Sequence, residues 1–186
     1  FKGIPAFIVS AGPSLQKNIH LLKEAKGKAL IIATAPVVRV MLAHDIKPDL
    51  IVSIDFSKDN RIHFEGICDC LEIPLVYPTR LASNVVRDYQ GEMFVTQDMT
   101  GGLTGWLKGN WSFKGHISGG GSVAIYALMT AISCSCDPII FLGQDLSFTD
   151  TSHVPGVHLC EKIQATQEGQ QFLWVDGIFG EKVPTN

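Results

Sequence analysis

Short apolar runs alternate along the chain with segments whose apolar residues fall at helical spacing. Ala6–Ser10, Ala29–Thr34 and Leu50–Ile54 are continuous apolar runs. Such runs suit strands buried on both faces of a sheet. Between them, Leu15, Ile19, Leu22 and Ala25 recur with the period of a helix, with Ser14 placed as its N-cap and Gly27 as its stop. Pro36 suits the first turn of a second helix carrying Val37, Val40, Met41 and Ala43. The pattern then predicts a short helix over 57–66, a strand Pro74–Tyr77, a helix Ser83–Tyr89 and a strand Glu92–Val95. Gly101–Gly121 is rich in glycine and reads as irregular. A helix from Ser122 to Cys134, a strand Pro138–Leu142 and a hairpin or edge segment over Phe172–Val183 complete the series. Strands alternating with helices imply a Rossmann-like α/β fold, a mostly parallel sheet with helices on both faces. Residues 1–186 read as a single nucleotide-binding-like α/β domain.

Composition narrows the function more than the fold. The 186 residues are 46% hydrophobic and 18% charged, enough for one globular domain with a substantial core. A net charge of −3 gives no basic footprint for nucleic acid. No apolar run approaches the ~20 residues that span a bilayer, so no membrane partner is expected. The chain starts at Phe1 with neither a methionine nor a targeting signal, as expected of a piece of a longer cytoplasmic protein. Five cysteines, an odd count, fit a reducing compartment. The pairs Cys68/Cys70 and Cys134/Cys136 lack common zinc spacing and read as buried thiols. His153 and His158 flank Val-Pro-Gly-Val and cannot share a helical face, so no metal is expected there either.

Ligands of open α/β sheets bind beyond the carboxyl ends of the strands, and four segments fall there. Gly12-Pro13-Ser14 turns from strand to helix: Gly12 admits a close ligand, Pro13 shapes the turn, and Ser14 either caps its helix or binds. Ser118-Gly119-Gly120-Gly121-Ser122 precedes a helix and reads as an anion or nucleotide loop, or else a connector. Asp55 and the Gln144-Asp145 pair end strands. A carboxylate there can bind a ribose, hold magnesium, move a proton or cap the next helix. His153 lies in a polar loop after the last clear strand and is a candidate proton shuttle.

Three of these segments together carry a family resemblance: GIPAFIVSAGPSLQKNI (residues 3–19), IKPDLIVSIDFS (46–57) and GGGSVAIYALMTAISCSCDPIIFLGQDLSFTDTSH (119–153). They resemble the central domain of bacterial motility accessory factors (Maf proteins), whose pattern is shared with archaeal 6-hydroxymethylpterin diphosphokinases of the MptE type. The resemblance implies a nucleotide-binding domain related to bacterial sialyltransferases that use CMP-activated sugars. It implies transfer of a nonulosonic acid to a protein hydroxyl such as serine or threonine of flagellin. On that reading Gly12, Pro13, Ser14, Asp55, Ser118–Ser122 and Gln144 line the nucleotide site, and His153 or Asp145 supplies the base. The CMP-sugar is then the donor substrate, with no cofactor. The alternatives are a pterin diphosphokinase using ATP and magnesium, with Asp55 and Asp145 as metal ligands, and a non-catalytic nucleotide-binding module.

Overall fold

The structure is a computed structural model, and it describes residues 1–67, 72–97, 117, 121–147, 151–158, 173–176 and 180–185. Six parallel strands form one sheet: β1 (Ala6–Val9), β2 (Leu30–Thr34), β3 (Leu50–Val52), β4 (Leu75–Pro78), β5 (Met93–Thr96) and β6 (Ile139–Leu142). Their order is β5-β4-β3-β2-β1-β6. The chain therefore steps outward from β1 to β5, then returns to the other side of β1 to lay down β6. β1 is in register with both neighbours, Ala6 opposite Leu30 and opposite Ile139. A separate antiparallel pair joins β7 (Leu173–Asp176) to β8 (Lys182–Thr185), which agrees with the first of the two forms expected of the tail, a hairpin or an edge segment.

Side-chain alternation along the central strands feeds two cores. Val9, Ile31, Ala33, Ile51 and Leu75 pack on one face with Leu15, Ile19, Met41 and Phe64. Ala6, Ile8, Ile32, Val52 and Val76 pack on the other with Tyr126, Ala127 and Ala131. Both faces of β2 are covered, so all five of its residues are buried, as its unbroken apolar run requires.

The helical layer differs in kind from the one the periodicity predicts. The segment after β1 is two 3₁₀ turns, Pro13–Lys17 and Ile19–Leu21, followed by one short helix α1 (Leu22–Ala25). Gly12, not Ser14, is its N-cap, because Pro13 takes the first helical position, where its missing N–H costs nothing. The apolar spacing still serves: Leu15, Ile19 and Leu22 are all buried, each worth about 1.5–3 kcal/mol. A 3₁₀ turn over Ala35–Val37 leads into α2 (Val38–Ala43), with Pro36 in the first turn. The segment 57–66 is a 3₁₀ helix, Lys58–Phe64, whose cap Ser57 accepts from the Asp59 N–H at 3.2 Å. α3 spans Ser83–Asp88, and α4 spans Val123–Ser133 behind Ser122, whose Oγ accepts from the Ala124 N–H at 3.3 Å. α4 buries Ala124, Tyr126, Ala127, Thr130 and Ala131 against the sheet. Cys134 and Cys136 are free thiols, but only Cys136 is buried, its thiol pushed up by burial; Cys134, at the end of α4, is half-buried rather than buried. Cys68, Cys70 and Cys160 lie outside the described residues.

Candidate functional site

The chain reverses its order across the sheet between β1 and β6, and there the two strand ends are clamped together. The Gly12 N–H donates to the Gly143 carbonyl at 2.8 Å, and the Ser10 Oγ donates to Gln144 Oε1 at 3.0 Å. Asp145 Oδ2 accepts the Ser14 N–H at 2.7 Å. This carboxylate caps not the helix that follows it but the 3₁₀ turn that opens the chain's first crossover. Glycine is needed on both sides of the clamp. A Cβ on Gly12 would lie 2.5 Å from the Gly143 oxygen, and Gly143 itself has φ +65°. The loop after β6 folds back on the same point, with the Val154 N–H donating to the Ala11 carbonyl at 2.8 Å.

Beside a depression of about 590 Å³ along Asp55–Glu65, two others open at the carboxyl edge of the sheet among the described residues. One, about 660 Å³, is a polar groove beside the clamp, lined by Pro13, Ser14, Lys17, Asp145, Ser147 and Thr151 among others. The other, about 350 Å³, lies beyond β2, β3 and β4 and in front of α4. Its walls include Pro36, Asp55, Asn60, His63, Arg80 and Gly121. The candidate residues thus divide. Gly12, Pro13, Ser14, Gln144 and Asp145 gather at the clamp, whereas Asp55 and Gly121 share the depression over β2–β4, and Ser122 caps the helix behind it. Among the described residues Asp55 and Asp145 line different depressions. Ser118, Gly119 and Gly120 lie outside the described residues. Among the described residues no group of three or more His, Cys, Asp or Glu side chains is placed to hold a metal ion.

The depression over β2–β4 is built from a hydrogen-bonded floor. Asn60 is 4% exposed; its Nδ2 donates to Ser53 Oγ at 3.0 Å and to the Asp55 carbonyl at 3.2 Å. Asp55 Oδ1 accepts the Ser57 N–H at 2.8 Å, which turns the chain into the 3₁₀ helix. In a 3₁₀ helix, residues three apart eclipse, and Asn60 and His63 accordingly line the same wall. His63 is held below the ordinary histidine value, first by burial and then by repulsion from His158. Asp55 pulls the other way, and His153 adds a smaller push. His63 is therefore neutral near pH 7. His153 is half-buried, its Nδ1 3.1 Å from Ser152 Oγ.

His63, Asn60 and Arg80 are functional candidates that sequence reasoning missed. The signal that could have found the first two is their spacing of three in a polar segment directly after a strand-end aspartate. Arg80 carries a comparable cue, a lone cation two residues past β4.

A family model described as 6-hydroxymethylpterin diphosphokinase MptE-like matches residues 1–151. The chain belongs to this MptE-like family. Its matched residues take in the clamp and the walls of the depression over β2–β4. No curated protein sequence matches it. Among solved structures, a Maf glycosyltransferase from Magnetospirillum magneticum AMB-1 shares the fold, with a TM-score of 0.73 at 17% identity. That match covers 99% of this chain and 27% of the Maf chain, so this MptE-like chain spans about a quarter of its structural neighbour. Both the family and the fold agree with the motif resemblance. No helix among the described residues is long and apolar enough to cross a membrane.

Proposed function

We propose that this MptE-like domain binds the nucleotide of a CMP-activated sugar and serves a glycosyltransferase. The sugar would be a nonulosonic acid and the acceptor a protein hydroxyl, such as serine or threonine of flagellin. The observation that carries the reading is the depression of about 350 Å³ at the carboxyl ends of β2–β4, a size suited to a small-molecule site. It occurs on a fold shared along the chain's length with a protein described as a Maf glycosyltransferase. Departure of CMP needs the charge on its phosphate neutralised, which the Arg80 guanidinium on the depression wall can supply. Of the two candidate bases, Asp145 has one oxygen committed to the Ser14 N–H and acts as an anchor of the clamp. His153, in the loop packed on the end of β1, is the other candidate to take the proton of an attacking hydroxyl.

The description of the matched family favours a second reading, a diphosphokinase acting on a pterin with ATP and magnesium. In that reaction Asp55 is the carboxylate available at the depression, and the metal would bring the ATP phosphates together. Isothermal titration with CMP and with ATP, each with and without magnesium, separates the two. Magnesium-independent binding of CMP supports the transferase reading; binding of ATP with magnesium alone overturns it.

A further inference from the structure

The sequence invites a phosphate at the Gly12–Ser14 turn, but in the folded chain that turn is already closed. Its two available N–H groups, on Gly12 and Ser14, donate to the Gly143 carbonyl and the Asp145 carboxylate. The groove beside the turn carries that same carboxylate, which repels an anion. That groove sets one cation, Lys17, against the carboxylate, whereas the other depression sets an arginine and a histidine against Asp55. Arg80 follows β4 and His63 sits on the 3₁₀ helix, facing a wall that ends at Gly121, where a Cβ would meet open space. We infer that His63 and Arg80 form the seat for the phosphate of the bound ligand, and that His63 receives it as an imidazolium. Binding therefore takes up a proton at His63.

The inference rests on the reading of this depression as a nucleotide site, but not on which nucleotide it takes. The groups around His63 set the linkage. Asp55, at the end of β3, attracts a proton to it, whereas His158 and His153 in the 151–158 loop oppose one; Arg80, beyond β4, lines the same depression. From its own segment Lys58, Asp59, Arg61 and Glu65 line the adjoining depression, two cations against two carboxylates. In the ligand-free chain the balance, dominated by burial, leaves His63 neutral. A phosphate dianion seated against the ring adds the attraction that reverses this.

The test is isothermal titration of the chain above pH 7 in buffers of differing ionisation enthalpy, with CMP, cytidine and ATP–magnesium as probes. Above pH 7 the phosphate of CMP is already a dianion, since its second pKa is ~6, so proton uptake reports the protein. The expected result is uptake of up to one proton per CMP bound, with affinity weakening by up to about tenfold per pH unit as pH rises. Cytidine should bind without uptake. His63→Gln should abolish the uptake and weaken CMP at least about tenfold. Arg80→Gln should weaken it while leaving the uptake in place, a readout that does not need the His63 variant to fold. Buffer-independent heats for CMP, or equal uptake with cytidine, overturn the proposal and leave the transferase reading standing. If CMP fails to bind while ATP–magnesium binds with uptake that His63→Gln removes, the transferase reading falls and the phosphate seat stands. If neither nucleotide binds, both are overturned.

Discussion

Gly143→Ala tests the clamp between β1 and β6, because the cost of the substitution has two separable parts. Gly143 is buried with φ +65°, a backbone region that costs an L-residue about 1–2 kcal/mol. Its new Cβ would lie 2.9 Å from the Leu15 Cβ and closer still to the Ser10 carbonyl oxygen. One of these is backbone directly after β1 and the other a core side chain of the first 3₁₀ turn, so neither yields without moving the end of β1 or that turn. Overpacking of this kind costs about 1–3 kcal/mol, while the stiffer unfolded chain returns about 0.4–1 kcal/mol. The net loss is about 2–4 kcal/mol, or a fall in Tm of about 5–15 °C for a domain of this size. Gly27→Ala is the internal control. Gly27 has φ +76°, but its Cβ would meet nothing within 4 Å, so only the backbone part applies, about 1 kcal/mol. Thermal unfolding of both variants, followed by circular dichroism, decides the matter. If Gly143→Ala costs no more than Gly27→Ala, the two strand ends are not held as described.

Substitutions at three further positions probe the two halves of the carboxyl edge. Asp145→Ala orphans the Ser14 N–H and should cost about 1–3 kcal/mol in urea unfolding, with Asp145→Asn recovering part of it; equal stabilities would remove the capping role. Asn60→Ala leaves the buried Ser53 hydroxyl without its donor and should lower stability by about 1–3 kcal/mol, whereas an unchanged midpoint would contradict the floor of the depression. His63 binds its proton less readily folded than unfolded, so the unfolded chain takes up more protons as pH falls through about 6.5 and below. Stability should therefore drop on acidification in that window, and His63→Gln should flatten the drop. A parallel pH profile for the variant would show that the ring is not shielded.

The sheet was legible because its central strands are buried on both faces. The runs at β1, β2 and β3 have no competing helical period, and the structure moves their ends by only a residue or two. α4 was legible for a related reason: Ser122 caps an uncharged helix whose small residues face the sheet. The first crossover was not, since Leu15, Ile19 and Leu22 bury equally well from 3₁₀ turns, and Pro13 moves the cap to Gly12. The site was half legible. Strand-end position marked Asp55 and Asp145, but their separation depends on strand order, which places β6 against β1 and far from β3. That is a long-range fact with no local signature. His63 and Asn60 escaped notice because their segment lacks an apolar period, and their shared wall exists only at the 3₁₀ spacing.

The most direct test of a nucleotide over β2–β4 is the amide NMR spectrum of the ¹⁵N-labelled chain titrated with CMP in the absence of magnesium. The account predicts that shifts concentrate at Ser53–His63, Arg80 and Gly121–Val123, while Pro13's neighbours and Asp145 stay in place. Shifts centred on Ser14, Lys17, Asp145 and Thr151, or none at all, would contradict it.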